Sequence, residues 1–344
     1  AILMKNKKLD RWKLFKGFKK DNKTEVSPFR SLMVSLAARV GVGSLAGIAL
    51  AIYIGGPGTI FWIWIVGIIT SINTYCESYL GAKFQERDKE GYKGGPSYYI
   101  EKGLNNKKLA VAYAILIIVS YIIGFITIQG NTITTSIHNY YKINPVIIAL
   151  ILTIITAYSI IKGLNRIVNI TSKLVPIMGG CYIFLSLIVL ILNIEKIPII
   201  IIKIIKDAWN IKKASLGFIS TFLIGTQRGV FSTEAGLGTG SIASSCTYSK
   251  DKISLGLIQI LGIYFTVFIV CTATALIILA SNYDTLIINN INGIELTQYA
   301  LNFHLGKIGS IVLLLAIILL AYSTIIAGYF YGESSLKYLL KKEK

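Results

Sequence analysis

The chain has 344 residues, 54% of them hydrophobic and only 15% charged, with a mean hydropathy of +0.65; that balance excludes an ordinary soluble enzyme. Its 35 Lys and Arg against 16 Asp and Glu give a net charge of +19, which on a soluble domain would point to nucleic acid. Here the basic residues lie in connections between long apolar runs, so the expected partner is the lipid bilayer, at its anionic inner face, and no nucleic acid. Cys76, Cys181, Cys246 and Cys271 form no CxxC pair and read as small buried hydrophobes. His138 and His304, the only histidines, fall far apart in expected outer loops, which leaves metal catalysis or a His-based triad almost nothing to work with.

A spanning helix needs about 20 mostly apolar residues, because lipid gives the backbone no hydrogen-bond partner. Eight runs qualify: residues 31–54, 58–82, 109–136, 145–161, 174–193, a broken one within 198–231, 253–281 and 308–331. Threaded from a cytoplasmic N-terminus, they leave 27 of the 35 Lys and Arg on the cytoplasmic side, Arg228 among them, and seven outside, five of those between 196 and 213. The bias places both termini in the cytoplasm of a multi-pass plasma-membrane protein. Only Arg39 and Glu77 carry formal charge inside the spans. Ionisable groups at that depth turn inward and find partners. They read either as one structural pair between the first two spans or with Glu77 taking part in ion or proton coupling.

The first span is interrupted by GVGSLAG at residues 41–47. Three glycines in seven residues cost helix stability, about 1 kcal/mol each against Ala. The segment suits either an unwound stretch facing a cavity or close small-residue packing. The sixth run repeats the theme: residues 198–209 as a half-helix, 210–217 as a polar break, 218–231 as a second half, then the Gly-rich EAGLGTG. Interrupted spans at corresponding places in two halves are the sequence pointer to a midplane site in inverted-repeat transporters. Half-helix N-termini there meet a carboxylate and freed carbonyls coordinate a cation. Gln129, Asn131 and Thr132 on the third span, and Tyr322, Ser323 and Thr324 on the eighth, supply further polar groups. Ser323 and Thr324 beside carbonyls freed near Ala38 and Gly41 offer the oxygen donors that hard cations want. The substrate-binding candidates are Gly41, Val42, Gly43, Ser44, Gln129, Asn131, Trp209, Gly217, Phe218 and Thr221; the cation-binding ones are Ala38, Gly41, Ser323 and Thr324, with sodium the only metal. The KGGPSYYIEKG stretch at 93–103 reads as a solvated connection with an interfacial anchor. No P-loop supports ATP-driven transport.

Five stretches carry a family likeness: SLAARVGVGSLAGIALAIYIGGPGTIFWIWIVGII, ERDKEGYKGGPSYYIEKGL, QGN at 129–131, RGVFSTEAGLGTG at 228–240 and AYSTIIAGYFYGE at 321–333. In this order, from about residue 28 to the C-terminus, the chain resembles the alanine or glycine:cation symporters. The resemblance implies an all-α membrane protein of about eight transmembrane helices in the inverted-repeat leucine-transporter-like fold. It implies a secondary active symporter of small neutral amino acids, alanine or glycine, with sodium or a proton as co-substrate and no other cofactor. On that frame residues 1–30 are a basic cytoplasmic segment, 31–193 the first five-helix repeat, 194–332 a partial second repeat of three helices with the first one broken, and 333–344 a basic cytoplasmic tail. Residues 41–47 become the unwound first core helix, 198–231 the sixth, and Ser323 and Thr324 part of the cation site. Ser44 stands where the family usually has Asn, and Thr233 where its SNEAG motif has Asn; both keep a hydroxyl and lose an amide, which bears on substrate choice or cation affinity. Against the family's usual length the chain is truncated at both ends, so the alternative is a transport-inactive membrane remnant acting as a scaffold or binding subunit.

Overall fold

The computed structural model describes residues 26–88, 91–161, 163–210 and 216–340. The basic run before residue 26 and residues 211–215 of the expected polar break lie outside the described residues. Helix α1 (Pro28–Arg39) starts where Ser27 accepts a hydrogen bond from the Arg30 amide and Pro28 takes the first turn, the position that needs no N–H. After a short 3₁₀ turn at Val42–Ser44 the chain resumes as α2 (Ala46–Gly55), bent by 61° from α1. A GGPG turn leads into α3 (Thr59–Lys83), then a hairpin of β1 (Glu86–Asp88) and β2 (Gly91–Lys93) in antiparallel register, and the short α4 (Pro96–Leu104). The 93–103 stretch is thus mostly helix, with only Lys93 in the strand, and is tied down by the 2.8 Å Lys102–Glu86 ion pair.

Next come α5 (Lys107–Tyr141), continuous through a wide turn at Ser120–Phe125, then α6 (Pro145–Ile160) and α7 (Gly163–Leu192). Asn106 and Asn144 cap α5 and α6 through their side-chain oxygens. The second half holds α8 (Ile197–Ala208), α9 (Leu216–Thr233), α10 (Thr239–Ser245), α11 (Lys252–Leu279), α12 (Tyr283–Ile288) and α13 (Gly293–Leu340), the last interrupted at Gly306. Among the described residues five helices are long and apolar enough to span a membrane, or six with α1–α2 as one bent span. The 16-residue α6 is shorter, and the sixth expected run, 198–231, is divided between α8 and α9.

The packing is that of a leucine-transporter-like bundle. The second half of the first broken helix, α2, packs on α9, and its first half, α1, packs on α10. The pairs therefore run antiparallel, as inverted repeats demand. Helix α3 lies along α9, α10 and α11, and α13 touches α1, α2, α5 and α7. The apolar interior runs from Leu32 and Ile48 through Ile167 and Val270 to Leu320. Large aliphatic and aromatic side chains on α5, α6 and α7, among them Ile123, Ile154 and Phe184, point outward, the lipid-facing pattern of a multi-pass membrane protein.

Some expectations are corrected. Cys76 and Cys181 are exposed rather than buried, and all four cysteines are free. His138 and His304 belong to helices, where their ring nitrogens meet the carbonyls of Ile143 and Ile277. Arg228 is half-buried on α9 beside Gly47 rather than in a loop. The cytoplasmic tail expected from residue 333 begins as the last turns of α13.

Candidate functional site

The first interruption falls between Arg39 and Ala46, where the Gly-rich sequence favours release of the helical ladder. Ser44 Oγ donates back to the Gly41 carbonyl at 2.9 Å. The Val42 amide, freed by the break, donates to Gln129 Oε1 at 3.3 Å across 87 residues of sequence. The Ser44 carbonyl receives Thr274 Oγ1 at 3.0 Å, and Thr274 in turn shares a 2.6 Å hydrogen bond with the Tyr182 hydroxyl. Neither Thr274 nor Tyr182 stands out in the sequence, because a lone hydroxyl in an apolar span usually bonds its own preceding turn.

Ser323 and Thr324 approach this break from α13. Thr324 Oγ1 donates to the Ala37 carbonyl at 2.9 Å, Ser323 Oγ reaches the same oxygen at 3.3 Å, and both also contact Leu320 O. A β-carbon added to Gly41 would lie 2.4 Å from Thr324 Oγ1 and 3.4 Å from Ala38 O. The four expected cation-site residues are thus brought together, with Ala37 as a further carbonyl. This set of hydroxyl and carbonyl oxygens is the hard-donor chemistry that suits sodium.

The substrate set divides. Gln129 is 2% exposed and reaches the break, whereas Asn131 points outward. Two residues along a helix turn by about 200°, so both cannot face the same core. Trp209, Gly217, Phe218 and Thr221 are not brought to residues 41–44. Thr221 Oγ1 donates to Gly55 O at 2.7 Å, at the far end of α2. Trp209 and Phe218 join Phe61, Trp62 and Phe222 in an aromatic cluster there. Facing the break instead is Phe231 of α9, whose ring would stand 2.8 Å from a β-carbon on Gly43. It stacks on Phe125 with ring centroids 5.2 Å apart and planes 9° apart, and Phe125 stacks on Tyr121 at 4.6 Å.

A further interruption lies at residues 234–238, between α9 and α10, whereas residues 211–215 of the expected break at 210–217 lie outside the described residues. Glu234, Gly236 and Gly238 all have positive φ, at 50°, 88° and 82°. Gly236 N and Gly238 N donate to Glu77 Oε2 at 3.2 and 3.1 Å. Arg39 donates to the Gln259 carbonyl at 3.2 Å, and no direct hydrogen bond joins it to Glu77. Arg39 and Glu77 thus share one setting at the second break, without a direct hydrogen bond between them. Among the described residues no group of three or more His, Cys, Asp or Glu could hold a metal ion.

Three comparisons bear on this arrangement. The family model described as the sodium:alanine symporter family matches residues 6–344. The amino-acid carrier protein AlsT of Bacillus subtilis is 38% identical over 324 residues, covering 94% of this chain and 69% of AlsT. The sodium/alanine symporter AgcS of Methanococcus maripaludis is 32% identical over 324 residues, covering 92% of this chain and 71% of AgcS. Among solved structures, a manganese transporter of Eremococcus coleocola superposes with a TM-score of 0.59 at 13% identity. The match covers 90% of this chain and 65% of that one, and at that identity it speaks for the fold alone. The chain spans about two thirds of the length of these proteins.

Proposed function

Because the chain belongs to the sodium:alanine symporter family, whose members are transporters and not enzymes, we propose that it carries a small neutral amino acid into the cell together with sodium, by alternating access at the plasma membrane with both termini cytoplasmic. The observation that carries the reading is the convergence of Ser323, Thr324 and the carbonyls of Ala37 and Ala38 beside the broken helix at Gly41. In this reading the substrate lies against residues 41–44. Its carboxylate takes amide donors of the unwound turn, and Gln129, now on Val42 N, trades that bond for the ammonium or carboxylate group. Sodium sits among the oxygens of Ala38, Gly41, Ser323 and Thr324, where binding it and the substrate closes the same break from two sides. The Gly43–Phe231 contact keeps the space short and favours alanine or glycine over longer side chains.

The test is uptake of labelled L-alanine by proteoliposomes holding the 344-residue chain, under an inward sodium gradient, a proton gradient or neither. Sodium-driven uptake that is lost in Ser323→Ala/Thr324→Ala is expected. Uptake driven by protons alone replaces sodium as the coupling ion. The absence of gradient-driven uptake, with a longer relative active in the same vesicles, defeats the transport reading for this chain.

A further inference from the structure

The turn between α9 and α10 has the form of an anion receptor. Positive φ at Glu234, Gly236 and Gly238 turns the Gly236 and Gly238 amides onto one point, and amides arranged in this way form a concavity that suits negative charge. That point holds Glu77 Oε2, at 3.2 and 3.1 Å. On the other side stands Arg39, 2% exposed, with Nε and Nη2 lacking any hydrogen-bond partner. A β-carbon on Gly240 would lie 2.8 Å from Arg39 Nη2 and 2.8 Å from Glu77 Oε1. Guanidinium and carboxylate thus face one another across a glycine, and Glu77 Oε1 is itself without a partner. Two converging amides and a buried guanidinium with Nε and Nη2 unpartnered set donors on both sides of this one carboxylate.

We propose that the Gly236 and Gly238 amides with Arg39 form an anion site that the chain fills with its own Glu77 carboxylate, and that a small monovalent anion such as chloride occupies it when that carboxylate is removed. The exchange conserves formal charge. Counted formally, Arg39, Glu77 and Glu234 sum to one negative charge in excess, and Glu234 is held apart by Thr239 Oγ1 on its Oε2 at 3.1 Å. The other ionisable groups in electrostatic reach are the phenols of Tyr99 on α4, Tyr113 and Tyr121 on α5, and Tyr331 on α13, which add donors and no formal charge. Truncating Glu77 leaves a neutral set with idle amides, and one chloride restores both the charge and the hydrogen bonds. Glu77 is then a positioning residue. On the transport reading above, it keeps the second break from competing for the substrate carboxylate, which is left to the amides of the first.

The test needs no transport. Purified full chain and its Glu77→Ala variant are melted in detergent in sodium chloride and in sodium gluconate at matched sodium, with Glu77→Gln as a variant that loses the charge and keeps the bulk. Chloride is expected to raise the Tm of Glu77→Ala by about 2–4 °C over gluconate, and to leave the parent and Glu77→Gln unmoved. Equal shifts in all three proteins, or none in Glu77→Ala, overturn the proposal. So does a Glu77→Ala protein that can be recovered folded from neither salt while Glu77→Gln folds.

Discussion

Thr324 Oγ1 occupies the space that a side chain on Gly41 would need: a β-carbon there would stand only 2.4 Å away, while the hydroxyl itself donates to Ala37 O at 2.9 Å. The contact ties α13 to the first interruption, so Gly41→Ala must push the hydroxyl off its carbonyl. Overpacking of this kind costs about 1–3 kcal/mol. Gly41→Ala is expected to fold with a lowered Tm and to lose sodium-stimulated uptake. Adding Thr324→Ala removes the clashing atom. The double variant should regain most of the Tm and none of the sodium response, which separates the steric role of the pair from its role as a cation ligand. Recovery of sodium stimulation in the double variant would rule out Thr324 as a ligand.

Gln129 and Asn131 give an internally controlled pair. Gln129 caps the Val42 amide and is buried, and Asn131 faces outward. Gln129→Ala strips the amide of its partner, a loss of about 1 kcal/mol, and is expected to raise the KM for alanine. Gln129→Glu sets a carboxylate where the substrate carboxylate must bind, and labelled alanine binding should fall below detection. Asn131→Ala should match the parent in both assays; if it abolishes binding, α5 faces the site with its other side.

The two interruptions differ in how far they can be read from sequence. Residues 41–47 place three glycines inside a strongly apolar run, and a helix that must keep its ladder in lipid has no other use for them than a break or a close contact; the structure uses both, with a 61° bend at the break and Gly43 against Phe231. The second break is harder to place. Polar residues at 210–217 look like an interruption, and EAGLGTG looks like the connection after the span. Which of the two lies at the level of the first depends on α9 crossing α2 and α10 crossing α1, a relation between halves of the chain that no local pattern carries. For the same reason Trp209, Gly217, Phe218 and Thr221 read as site residues and lie at the far end of α2, while Phe231 and Thr274 give no local sign of their place at the breaks. Arg39 and Glu77 stand out as lone charges in apolar runs. Their true partners, backbone groups of Gln259, Gly236 and Gly238, carry no side-chain signal.

The turn between α2 and α3 is held by one carboxylate. Asp207 Oδ2 accepts from the Gly58 amide at 2.9 Å, and a β-carbon on Gly56, where φ is 78°, would come within 2.8 Å of the same oxygen. Hydrogen bonds to charged groups contribute about 1.5–3 kcal/mol. Asp207→Ala is expected to lower the Tm by several degrees, and Asp207→Asn, which keeps an acceptor, by less. Equal losses in the two variants would place the effect in packing of α8 rather than in the Gly58 hydrogen bond.

Phe231 sets the size of the proposed substrate space. Its ring would come to 2.8 Å from a β-carbon on Gly43, and it is backed by Phe125 in a near-parallel stack, so it yields to neither side without breaking that stack. Gly43→Ala shrinks the space from the opposite wall and should remove alanine uptake before glycine uptake, because the substrate methyl competes with the new one. Phe231→Ala should do the reverse. Each methylene accommodated in an apolar pocket changes discrimination by about 10–200-fold, so leucine, expected to compete only weakly with labelled alanine in the parent, is expected to compete at least about tenfold better in Phe231→Ala. If leucine competes no better and alanine uptake is merely lost, the ring supports the helix crossing without facing the substrate, and the wall of the pocket must be sought elsewhere along α9.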